Sequence, residues 1–151
     1  MSITGWLQGW LRGGSPKPLL LSEQERHFQG LDVQAVLEAH LAWRKRLEDA
    51  IQGRLEGELD LSVIVRDNVC QLGQWIYGPA KYSLLTAHPE FADLREAHRR
   101  FHLTAARVVQ TLRLQGLEPA RRILEGEFDQ HSKAIVQNLA LLMEKERSLS
   151  P

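Results

Sequence analysis

From Asp32 to the end of the chain, apolar residues recur at steps of three and four, and glycine or proline interrupts the pattern wherever it fades. This period suits helices with one buried face and leaves little room for a sheet. The first stretch places Val33, Val36, Leu37, His40, Leu41, Arg44, Leu47 and Ile51 on one face and stops at Gly53. A link over 55–60 leads to a shorter helix, predicted from the mid-sixties to Tyr77 and ended by Gly78-Pro79. Cys70, Gly73 and Ile76/Tyr77 are expected on its inner face, with Gly73 admitting a close neighbour.

The third helix is predicted to begin after His88, with Pro89 in the first turn, where its missing N–H costs nothing. Its stripe is Phe91, Leu94, His98, Phe101, His102, Ala105, Val108 or Val109, and Leu112. The fourth follows Gly116, with Pro119 near its start. It turns Leu124, Phe128, His131, Ile135, Leu139, Leu142 and Met143 inward. Four amphipathic helices predict an all-α fold, an antiparallel four-helix bundle over residues 31–147. Residues 1–30 read as an N-terminal arm or short extra helix. Ile3, Leu7, Trp10 and Leu11, with Trp6 beside them, form a small apolar stripe, and the breaker cluster Gly13-Gly14-Ser15-Pro16-Lys17-Pro18 follows it. That stripe suits packing on the chain's own bundle, docking on a partner helix, or a membrane surface.

At 151 residues, one domain with an arm is expected. Lys plus Arg balances Asp plus Glu at 19 each, and no basic stripe with interleaved aromatics points to nucleic acid. The single cysteine excludes an intrachain disulfide. With no leader-like segment and no apolar run of transmembrane length, a cytoplasmic location is expected.

That cysteine carries the chemistry. His98 and His102 are four apart on a predicted helix, so their rings project from one face, one turn apart, and can share a metal. Cys70 and His40 would complete the four nitrogen and sulfur ligands of tetrahedral Zn²⁺. His131 reads as a core histidine, or a reserve ligand or supporting donor. His27 and His88 read as exposed, with His88 at a cap or turn. A Cys/His nucleophile pair lacks an orienting Asn or Asp and a Gly-rich oxyanion turn. A zinc with four protein ligands also keeps no position for water, so catalysis is not expected.

Taken in order, His40-Leu-Ala-Trp43, Cys70-x-Leu-Gly73-x-Trp75-Ile-Tyr77-Gly78, Tyr82 and Phe91-x-x-Leu94-x-x-x-His98-x-x-Phe101-His102 resemble the bacterial chemoreceptor zinc-binding (CZB) domain family. The resemblance runs over roughly residues 31 to 145. One departure is Pro79-Ala80, where the family usually has a second glycine. The resemblance implies a three-histidine, one-cysteine zinc site made by His40, Cys70, His98 and His102, with Trp43, Trp75 and Phe101 packed around it. It also implies a cytosolic sensory module, commonly a homodimer, attached to chemoreceptor or diguanylate cyclase pathways. Such modules respond to zinc or to hypochlorous acid through the zinc-bound cysteine. The alternative for this chain is a zinc-stapled adaptor domain with no sensing role.

Overall fold

The computed structural model describes residues 2–13, 17–55 and 57–149. Gly14, Ser15 and Pro16 of the breaker cluster lie outside the described residues, as do Met1 and Glu56. The chain runs α1 (Ile3–Leu11), α2 (Glu23–Arg26), a minimal hairpin of β1 (His27–Phe28) and β2 (Leu31–Asp32), then α3 (Val33–Ile51), α4 (Leu61–Ile64) and α5 (Gln71–Tyr77). A 3₁₀ turn (Leu84–Ala87) precedes α6 (Pro89–Gln115), which is followed by α7 (Leu117–Ile123), a π turn (Leu124–Phe128) and α8 (Asp129–Leu149). The fold is all-α and bundle-like. Among the described residues, no helix is long and apolar enough to cross a membrane.

The long helices begin and end where their residues dictate. Asp32 caps α3 by accepting a hydrogen bond from Ala35 N at 3.0 Å. Pro89 opens α6, and Gly116 closes it at φ 95°, a conformation that side chains with a Cβ avoid. Beyond Gly116 the chain folds back, so that α8 packs along α6. The π turn inserts one wide turn between α7 and α8. Phe128, fully buried at its end, meets the ring of Phe101 at a centroid distance of 4.8 Å.

The arm joins the same core. Ile3, Trp6, Leu7 and Trp10 are buried, and α1 lies on α8. Leu11, expected on this stripe, is instead half exposed, at the last residue of α1. The start of α1 is held twice: Ser2 Oγ accepts from Gly5 N at 3.0 Å, and the buried Glu25 accepts from Ile3 N at 2.6 Å. Trp6 Nε1 donates to Lys17 O at 2.8 Å. Gln34 straps the next segment to α3, accepting from Leu21 N and donating to Leu19 O.

The second predicted helix is the main correction. It is two short helices separated by a turn, and Cys70 is not inside a helix but caps the start of α5. Asp67 and Asn68 form that turn and fold back over Gly73. A Cβ on Gly73 would lie 1.8 Å from the Asp67 carbonyl oxygen, so the close approach this glycine permits comes from the turn just before it rather than from a neighbouring helix. The side chain of Tyr77, expected inward, is over a third exposed and donates from Oη to Asp67. Burial and the Asp67 carboxylate push its hydroxyl up to about 12, which keeps that donor protonated.

Candidate metal centre

Three elements bring the four donors together. His40 comes from the middle of α3, Cys70 from the cap of α5, and His98 and His102 from successive turns of α6. Their ligand atoms all lie within 4.8 Å of one another. His98 Nε2 sits 3.2 Å from His40 Nε2 and 3.1 Å from His102 Nε2. Cys70 Sγ is 3.2 Å from His98 Nε2, 3.6 Å from His102 Nε2 and 4.0 Å from His40 Nε2. A tetrahedral zinc with three nitrogens and one sulfur requires edges of about 3.3 Å between nitrogens and about 3.6 Å from nitrogen to sulfur. The nitrogen–sulfur spacings bracket the second value, and the two nitrogen–nitrogen spacings, 3.1 and 3.2 Å, fall just short of the first.

The donors are also oriented. His40 Nδ1 is 2.7 Å from Val36 O, and His102 Nδ1 is 2.9 Å from Ile64 O. A carbonyl only accepts, so both rings carry their proton on Nδ1 and turn a bare Nε2 toward the centre, the usual outer support of a metal-bound histidine. Cys70 Sγ accepts from Gly73 N at 3.4 Å.

Burial sets the charge states. It holds His40 down to about 4, and it holds His98 down to about 2 with help from the neighbouring imidazoles. His102 is lowered for the same first reason. All three are therefore neutral at pH 7, the form that binds a metal. Burial raises the Cys70 thiol more than the Gly73 and Leu72 amides lower it, so the metal itself must displace the thiol proton. The donor set fits zinc: four neutral-or-thiolate nitrogen and sulfur ligands, three of them buried, with no carboxylate among them.

The surrounding shell departs in places from expectation. Phe101 is fully buried, its ring 5.0 Å from that of His40 and 5.5 Å from that of His102. Trp75 is buried and donates from Nε1 to Gln29 O at 3.0 Å, tying α5 to the hairpin. Trp43, expected as a core anchor, is only half buried, with the Arg46 guanidinium 4.1 Å over its ring. His131 is half buried and outside the four-donor group, because α8 turns it toward the edge of the bundle rather than its centre. His88, expected exposed, is half buried at the start of α6, with Nε2 2.7 Å from Glu146 Oε1. His27 is exposed as expected. What sequence reasoning missed is the carbonyl support of His40 and His102. Val36 could have been found as the residue one turn before His40, but Ile64 is distant in sequence and carried no signal.

Residues 40–109 match the family model of the chemoreceptor zinc-binding domain. The match takes in all four donors and leaves the arm, the first turns of α3 and the α7–α8 segment outside it. Comparison with curated proteins and with solved structures gave no match. Residues 40–109 of this chain are therefore similar to the chemoreceptor zinc-binding domain, and within them His40, Cys70, His98 and His102 are positioned to bind a metal ion.

Proposed function

We propose that the chain is a cytoplasmic, non-catalytic sensory module in which zinc occupancy, or oxidation of the zinc-bound Cys70, alters helix packing and so modulates a chemotaxis or cyclic-di-GMP signalling partner. The observation that carries this reading is the unequal burial of the donors. The three histidines are buried, whereas Cys70 alone is partly exposed, where the turn between the short helices α4 and α5 ends. Zinc would supply a deprotonated thiolate that hypochlorous acid can reach. The thiolate and HOCl give a sulfenic acid and chloride, removing one ligand of four. Because metal binding is also folding energy, loss of that ligand loosens α5 against α3 and α6. A homodimer is the natural reporter of such a change.

The alternative is a zinc-stapled adaptor with no sensing role, favoured by four protein donors gathered at one point, as a permanent tetrahedral staple requires. Purified full-length chain should contain about one zinc, lost in Cys70→Ala and in His98→Ala. Hypochlorous acid at low equivalents should then release zinc and change the helical signal. A zinc-loaded protein inert to oxidant and to mild chelation would leave the adaptor reading, and a protein that takes up no zinc would end both.

A further inference from the structure

Met143 is the one internal methionine of the chain, the other being Met1. It belongs to the core, at 4% exposure, yet it lines two cavities that open to solvent. The first, about 230 Å³, lies between α8 and the start of α1, and Ile3, Glu25, Ala140 and Arg147 share its wall. The second, about 240 Å³, lies between α8 and the hairpin, and Phe28, Gln29, Glu146 and Arg147 share its wall.

The helix beside the first cavity depends on packing. α1 has nine residues, including Gly5 and Gly9, and no acidic residue in its first turn, and a helix that short does not persist alone in water. It is held by Ile3, Trp6, Leu7 and Trp10, buried where α1 lies on α8. At its start, Ile3 N donates to Glu25 Oε2 at 2.6 Å, and Glu25 Oε1 lies 3.5 Å from the Arg147 guanidinium. Ile3, Glu25, Arg147 and Met143 thus meet around one cavity, where the arm, α2 and α8 join. A thioether suits that apolar wall, whereas a sulfoxide is polar. Burying its oxygen beside Ile3 and Ala140 without a donor is costly, and moving it into water takes Met143 out of its packing position. Either outcome removes support from the start of α1.

We propose that Met143 is an oxidation site through which hypochlorous acid releases the arm: conversion of its thioether to the sulfoxide undocks α1 from α8. No metal donor takes part, so this goes beyond the zinc reading. Each cavity has room for several molecules of water size, at about 30 Å³ each, and a triatomic oxidant reaches the side chain without unfolding the bundle. The sulfur forms a bond to oxygen in a two-electron oxidation, the chlorine of HOCl is reduced to chloride, and the proton goes to solvent. Methionine sulfoxide reductase with a thiol reductant reverses the step.

The test treats the full-length chain with hypochlorous acid at low equivalents. Peptide mass spectrometry reads oxygen gained at Met143 and Met1, hydrogen exchange reads α1, and zinc release is followed in parallel. Met143 should gain oxygen, amide exchange in α1 should become roughly tenfold faster or more, and sulfoxide reductase should restore the starting rate. Met143→Leu keeps the site apolar and close to its original volume. It should keep α1 protected at the same dose, with zinc release as in the parent chain. Three results would each overturn the proposal: Met143 left unoxidised in folded protein whose Met1 is oxidised, a sulfoxide at Met143 with α1 as protected as before, or α1 opening equally in Met143→Leu. Zinc release is a separate readout, so the zinc reading and this proposal fail by different results.

Discussion

His102 donates from Nδ1 to the carbonyl of Ile64, 2.9 Å away, and so fastens the short helix α4 to the ring that faces the metal centre. The same bond that sets the tautomer of a ligand also anchors the segment leading to Cys70. Removing zinc should therefore raise amide hydrogen exchange over residues 61–77 before it affects the middle of α6 or α8. Exchange measured by mass spectrometry on the zinc-loaded and chelated protein checks this. A uniform rise across the bundle would contradict it.

Gly73 lies under the Asp67 carbonyl with no room for a Cβ. The obstacle is backbone, so Gly73→Ala must displace the turn that positions Cys70. The expected cost is about 1–3 kcal/mol of stability, with at least a tenfold loss of zinc affinity in chelator competition. Gly9, in the last turn of α1, has open space at its Cβ position. Gly9→Ala should instead raise stability by roughly 0.5–1 kcal/mol and leave zinc affinity unchanged.

Acid should unfold the metal-free protein through its buried histidines. Burial depresses His40 to about 4 and His98 to about 2 in the folded state, from an ordinary value of 6.5. The unfolded chain therefore binds more protons below pH 6.5. The stability linked to these groups is complete above that value and is lost as pH falls toward the folded values. His40 alone contributes on the order of 3 kcal/mol across the window from 6.5 to 4. Urea midpoints of metal-free protein should fall steadily between pH 6.5 and 4, and the slope should flatten in His40→Leu.

Trp10 is buried beneath α8, with the Lys133 ammonium 5.4 Å from its ring. Trp10→Ala should cost about 3–5 kcal/mol by urea unfolding while the zinc content of the folded protein stays at about one per chain. Loss of zinc from protein that remains folded would mean that the arm supports the centre as well as the bundle.

The helices legible in the sequence are those with a long apolar period: α3, α6 and α8 carry their stripes where the three- and four-residue steps place them. The second predicted helix broke in two because its apolar positions are too few to outweigh the Asp67-Asn68 turn, which Gly73 accommodates and the Tyr77–Asp67 hydrogen bond closes. Trp43 and His131 sit on predicted inner faces yet at their edges. A stripe defines a direction but not how much of its width a neighbour covers.

The sequence by itself determined the helical class and the donor types. Periodicity, capping residues and the spacing of His98 and His102 are local properties, written within a few turns of chain. Only the tertiary structure decided that His40 and Cys70 reach the same point, that Cys70 caps a helix rather than lining one, and that the arm closes onto α8. It also decided which imidazoles find a carbonyl for Nδ1. Those outcomes depend on contacts between segments tens of residues apart, where packing of whole helices, not the preference of any one residue, sets which atoms meet.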